Sequence, residues 1–251
     1  AQAALRPASR LSHATNKPYA TGAARTPSTG TIPVTGTRVT TDGSLSNAGE
    51  IDISGTATLN HALAPNGGVV NSNVIEVKAG GSLTLDSSSD ITGSGQIIVD
   101  AADPANNLGV GQLTLTTATI DGGDVENSGT IALTGSGANL IEHGKLANLA
   151  GAHLTVSGSN NNFTSETVSN ASTGTIIVTG TLATTDGPLS HAGQTDIRGT
   201  ATPNHALAPH RGVVTSNAIA ATAGGPPTPA SRPSNTGSGP ILGRVADPPV
   251  R

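Results

Sequence analysis

The residues best equipped for chemistry in this chain are its carboxylates. The densest group is Asp121-Gly122-Gly123-Asp124-Val125-Glu126-Asn127. Clustered carboxylate and amide oxygens are what a hard cation such as Ca²⁺ requires. A second oxygen-rich loop, with Asp100, Asp103, Asn106 and Asn107, surrounds Pro104. Neither loop follows the EF-hand order of ligands or the Gly-Gly-x-Gly-x-Asp nonapeptide of calcium-binding β-rolls. Both read as solvated turns, as do Asp86 and Asp90, which flank Ser87, Ser88 and Ser89.

A different chemistry needs two carboxylates at a defined separation, one to give a proton and one to take it. Asp52 and Asp196 each sit between inward-facing positions of a candidate strand, and both could face outward together with Glu76. That set is the basis for one alternative reading, a polysaccharide lyase or hydrolase. Sugar clefts of that kind also use basic and aromatic residues. Here the chain has one Phe, one Tyr and no Trp, and between Asp42 and Asp196 its only basic residues are Lys78 and Lys145. The seven histidines, His13, His61, His143, His153, His191, His205 and His210, form no His-Glu-x-x-His pair or other close metal spacing. His61 and His205 are copies of one position in an internal duplication. We expect no catalytic residue, no metal site and no cofactor.

The elements that must carry these residues are set by composition and repeat. The 251 residues include 33 Gly and 16 Pro, with 34% hydrophobic and only 11% charged residues. Average globular chains are nearer half apolar and a quarter charged. Zero Cys excludes a disulfide scaffold and Cys-ligated metal. The low charge also argues against simple disorder. Small residues dominate, with 35 Thr and 24 Ser, which suits a thin core with many turns. No apolar run is long enough to span a membrane as a helix. The acidic middle opposes nucleic-acid binding, because phosphates need Lys and Arg. The chain begins at Ala1 and contains no Met, which we read as a processed product or a fragment of a longer array.

The repeat unit is Gly, any residue, apolar, any residue, apolar. It occurs at Gly30 with Ile32 and Val34, Gly49 with Ile51 and Ile53, and Gly81 with Leu83 and Leu85. It continues at Gly95 with Ile97 and Val99, Gly111 with Leu113 and Leu115, and Gly129 with Ile131 and Leu133. Gly174 with Ile176 and Val178 repeats it. Gly151 returns it one residue late, with Leu154 and Val156, and Gly193 carries Thr195 in place of an apolar residue. Alternation at period two puts each apolar pair on one face of a strand. Strands often end at Ser-Gly or Thr-Gly, and several follow an Asn turn, as at Asn47 and Asn127.

The starts recur about every 20 residues, the range of one coil of a strand solenoid. The spacing is irregular around Gly95, where two strands are expected on different faces of one coil; Val74 to Val77 is a further candidate strand. A larger duplication relates Gly30–Gly81 to Gly174–Gly225 at an offset of 144 residues. That offset is close to a whole number of coils, so the duplication is expected to keep phase. Equivalent Asn turns should stack into an amide ladder. Two aliphatics per strand suffice when three short strands close a triangular coil and the next coil stacks on it.

The fold class expected is therefore all-β, a right-handed parallel β-helix, with disordered or irregular ends. Proline marks its limits: seven of the 16 lie between Pro226 and Arg251. We expect a disordered or loosely attached segment over 1–29, the solenoid over 30–199, a degraded continuation over 200–225 and a Pro-rich flexible tail over 226–251.

The pattern Asn-x-Gly-Thr-Ile-x-x-Thr-Gly at Asn127 to Gly135 resembles the strand-repeat regions of large bacterial surface and secreted proteins. These include autotransporter passengers, filamentous-haemagglutinin-like exoproteins and repeat adhesins with VCBS-type domains. The resemblance covers about Gly30 to Gly199. It implies an extracellular or cell-surface location and a structural or adhesive stalk role. The expected partners are glycans, other cell surfaces and neighbouring repeats of a longer parent chain. A third reading is a Thr-ladder face of the ice-binding kind, built from Thr84, Thr114, Thr116, Thr117, Thr119 and Thr155.

Overall fold

The computed structural model describes residues 28–40, 45–60, 68–185 and 189–204, with short strands at Ala24–Thr26, Val214–Thr215, Ile219–Ala221 and Ile241–Gly243. The described residues form a β-solenoid in which every pairing between strands is parallel. The only helical piece among them is the 3₁₀ turn Pro104–Asn106. No helix among them is long and apolar enough to cross a membrane.

Three stacks of strands run along the axis. The first holds Thr31–Val34, Glu50–Ile53, Val74–Val77 and Gln96–Val99, then residues 124–127, residues 145–148 and Thr167–Asn170. The second holds Thr37–Thr40, Thr56–Asn60, residues 82–86, residues 112–116, Thr130–Thr134, His153–Val156, Thr175–Val178 and Gln194–Ile197. The third holds Leu45–Asn47, Val69–Asn71, residues 91–92, residues 118–121, residues 138–142, Asn160–Thr164 and Thr181–Thr185. The chain visits third, first and second in turn, so each circuit lays one strand on each stack. Long strands such as Gln112–Asn127 bend through two corners.

The inward positions follow the period-two pattern. Ile51 and Ile53, Leu83 and Leu85, Ile97 and Val99, Leu113 and Leu115, Ile131 and Leu133, Leu154 and Val156, and Ile176 and Val178 are all buried. The third stack adds Val69, Ile91, Ile120, Ile141, Phe163 and Leu182. The single Phe thus lies inside, in register with Ile141, so the thin core does accept one aromatic ring. Val74–Val77 is a strand, as its alternation suggests.

The irregular region resolves as two strands of one circuit. The unit after Gly81 lies in the second stack and that after Gly95 in the first. From this point the repeat changes face. The strands after Gly30 and Gly49 belong to the first stack, whereas those after Gly111, Gly129, Gly151 and Gly174 belong to the second. The duplication therefore does not keep phase. Thr31–Val34 stacks with Glu50–Ile53, while its copy Thr175–Val178 stacks one face further round. Phase depends on the number of strands between the copies, which exceeds a whole number of circuits by one; the Gly-x-apolar unit already lies on the second stack at Gly81.

The N-terminal segment 1–29, the continuation 200–225 and the tail 226–251 lie mostly outside the described residues. Within them, Ala24–Thr26 pairs with Leu45–Asn47, Thr200–Asn204 with Thr181–Thr185, and Ile241–Gly243 with Ile219–Ala221.

Candidate functional site

The corners carry amide ladders. At the corner from the first to the second stack, Asn127 Nδ2 donates to Asn148 Oδ1 at 2.7 Å, and Asn148 Nδ2 to Asn170 Oδ1 at 2.7 Å. Each amide also donates to a backbone carbonyl of the turn: His153 for Asn127, Thr175 for Asn148 and Gln194 for Asn170. The expected ladder is present. It is interrupted by the change of face, however: Asn47 and Asn71 form their own rung, at 2.8 Å, at the corner from the third to the first stack. A further rung, Asn139 to Asn161 at 2.9 Å, closes the remaining corner. The Asn139 rung has no Gly-x-apolar unit after it, so the sequence pattern missed it.

Outward from the first stack, Glu50, Asp52 and Glu76 bring one carboxylate oxygen each within 4.8 Å of one another. The strand register sets this, because Asp52 lies beside Glu76 and Glu50 beside Val74. Lys78 extends between them, bonded to Glu76 and 3.8 Å from Asp52 Oδ1. Desolvation raises the Asp52 carboxyl above its ordinary range, and Lys78 opposes the rise. Desolvation pulls the Lys78 ammonium down, but its bond to Glu76 and the charge of Asp52 outweigh it and hold it above its usual value. Asp100, at the end of the next strand, is raised by desolvation and then by Glu76. Asp196 is not part of this set. It sits in the second stack, beside Ile177, and pairs with Arg198 at 2.6 Å. Asp52 and Asp196 are duplicate positions, and the change of face separates them.

A second charged group lies at the corner from the third to the first stack. His143 Nδ1 and Asp121 Oδ1 are 2.8 Å apart, with Glu142 beside them. His143 has φ 60, in the same turn position where Gly122 has φ 82 and Ser165 has φ 51. The hydrogen bond to Asp121 raises the His143 imidazole above its ordinary value. His143 and Asp121 are thus hydrogen-bond partners, and with Glu142 their ligand atoms lie within 4.8 Å of one another. Lys145 Nζ stands 3.7 Å from Asp124, which gives the sequence-dense acidic loop a cation of its own.

The Asp100–Asn107 loop closes on itself. Asp103 Oδ1 accepts the N–H groups of Ala105 and Asn106, and Oδ2 accepts the Asn106 side-chain amide at 2.6 Å. The Asn106 bond holds the Asp103 carboxyl below its usual range. Its oxygens are spent on capping the 3₁₀ turn. Asp86 and Asp90 lie on different stacks, opposite Thr116 and Thr119.

The Thr positions do not form one plane. Thr84 and Thr114 are neighbours, but Ala132 separates Thr114 from Thr155. Thr116 bonds Thr134 at 3.0 Å, Thr117 lies at a corner with φ 65, and Thr119 belongs to the third stack. His153 faces outward from its strand and His191 lies in Leu189–His191. His13, His61, His205 and His210 lie outside the described residues.

One buried acid escaped the sequence reading altogether. Glu166 is 2% exposed, and its Oε2 accepts the Gly144 N–H at 2.8 Å. Nothing in Ser165-Glu166-Thr167 distinguishes it from a solvated turn. Comparison with protein-family models, with curated proteins and with solved structures returns no match.

Proposed function

We propose that this chain is a structural, adhesive stalk segment of an extracellular bacterial repeat protein. The supporting observation is that each circuit lays down the same small inward aliphatics and the same corner amides. Such a fold extends along its axis by about 4.8 Å per coil and displays polar outer faces repeatedly. Its mechanism is mechanical spacing, with weak polyvalent contact through outward Thr, Asn and Asp to glycans or other cell surfaces. Neighbouring repeats of a longer parent chain would stack on its ends. The acidic middle favours such partners over nucleic acid. Glycan-array and cell-binding assays on clustered copies test the adhesive role; no binding to any glycan or cell, or a cytosolic location in fractionated cells, would overturn it.

The convergence of Asp52, Glu50 and Glu76 supports a second reading, acid–base cleavage of a polysaccharide. Asp52, with its raised carboxyl, would hold the proton, and Glu76 would be its partner. Lys78 between them weighs against it, because it neutralises the pair that must act. Incubation with acidic and neutral polysaccharides separates the readings: sustained turnover that is lost in Asp52→Asn establishes the enzyme and removes the stalk as the primary role.

A further inference from the structure

We propose that Glu166 is a pH-operated clasp between two successive turns: protonated, it stays folded under the corner and holds the Gly144 N–H; ionised, it swings out and releases it. This inference is independent of the stalk reading.

The geometry begins with the corner from the third to the first stack. Gly123 lies beside Gly144 in the strand register. Lys145 pairs with Thr167, so Glu166 takes the equivalent place one turn further on. Gly144 admits no side chain: a Cβ there would fall 1.8 Å from the Gly123 carbonyl oxygen, and 3.5 Å from Glu166 Oε2. The Glu166 carboxyl folds back over that backbone. It accepts the Gly144 N–H at the corner.

The second oxygen is the telling one. Glu166 Oε1 is buried and has no hydrogen-bond partner. An ionised carboxylate with one bare oxygen in a dry site is costly, and protonation removes most of that cost. The charged groups that face it from below are Asp124, which disfavours ionisation, and His143, which favours it. Lys145 is turned to Asp124, and Asp121 and Glu142 act through His143. Asp186, which follows Thr181–Thr185 in the sequence, lies outside the described residues. Burial outweighs the Gly144 N–H bond and lifts the carboxyl to about 7. The ionised side chain gains hydration by leaving, and its exit frees a corner N–H and adds a negative charge beside Asp124.

The test is amide exchange at Gly144 in the full chain, read by NMR from about pH 5 to about pH 9 and expressed as a protection factor, with the Glu166 carboxyl followed by its ¹³C shift. Protection should fall about tenfold or more across neutral pH, in step with a carboxyl midpoint well above the ordinary glutamate value. Glu166→Gln should abolish the fall, and Asp186→Asn should leave it intact. Protection that stays level or rises with pH would show that ionisation tightens the bond, and would overturn the proposal. So would an ordinary glutamate midpoint, an unchanged fall in E166Q, or loss of the fall in D186N. The carboxyl titration of the unaltered chain decides the matter if E166Q does not fold.

Discussion

The side-chain amide of Asn127 donates to the Asn148 carbonyl at 2.7 Å, and Asn148 passes the same bond to Asn170. The rungs are 21 and 22 residues apart in sequence, so each amide ties one circuit to the next. Asn148 also donates to the Ala152 and Thr175 carbonyls. It is buried, so removing it strands several polar groups without water. Asn148→Ala should lower unfolding free energy by about 2–4 kcal/mol, since each buried orphan costs about 1–3 kcal/mol. Urea denaturation of the two chains measures this.

Gly123 has φ 77, and a Cβ on it would fall 2.0 Å from the Gly95 carbonyl oxygen. Both the conformation and the contact demand glycine. Gly123→Ala should cost on the order of 3 kcal/mol or more. Gly109 has open space around its Cβ position, and Gly109→Ala should be nearly neutral. Thermal unfolding of the pair checks the contrast; equal midpoints would contradict the packing at this corner.

Leu133 is fully buried, between Leu115 below and Val156 above. Leu133→Ala leaves a cavity in a core only a few side chains wide, and should cost about 2–5 kcal/mol. Val70 is 47% exposed on the outer side of its strand. Val70→Ala should change stability by less than about 0.5 kcal/mol.

Glu166 makes stability depend on pH. Its carboxyl value rises from 4.5 to about 7 on folding, so the folded chain binds the proton more tightly. The stabilisation is complete below about 4.5 and is lost as pH climbs through about 7. The loss should be on the order of 2 kcal/mol after allowance for solvent screening. Asp52 and Asp100, also raised, act in the same direction. Chemical denaturation at a series of pH values should show a downward slope over this window that E166Q flattens.

His143 titrates above its ordinary value because of its hydrogen bond to Asp121. The link is present when the imidazole is charged and is lost as pH rises through the raised value. Asp121→Asn should move the His143 midpoint, followed by NMR, down toward the ordinary histidine range. A midpoint that does not move would show that the pair is not formed in solution.

The strands, their inward residues and the amides of the Asn-x-Gly turns were legible in the sequence because each is set locally. Leu113 and Leu115 alternate with polar neighbours, and period two alone puts them on one face. Asn127 precedes its Gly turn within a few residues, so its place at a corner needed no long-range information. The face on which each strand lies was not legible, because it depends on every strand before it. The copies are separated by one strand more than a whole number of circuits, so the later repeats lie one face further round. Asp52 and Asp196, equivalent positions of the duplication, thereby came to lie on different stacks.

The sequence by itself determined a stacked parallel solenoid, its two aliphatics per strand and its Asn turns, since alternation and turn chemistry act over a few residues. Only the tertiary structure decided which charges meet. It set His143 against Asp121, 22 residues away, and Lys78 between Asp52 and Glu76. It also folded Glu166 into the space above Gly144. Those contacts arise between circuits, where stacking register rather than neighbouring sequence fixes what each side chain touches.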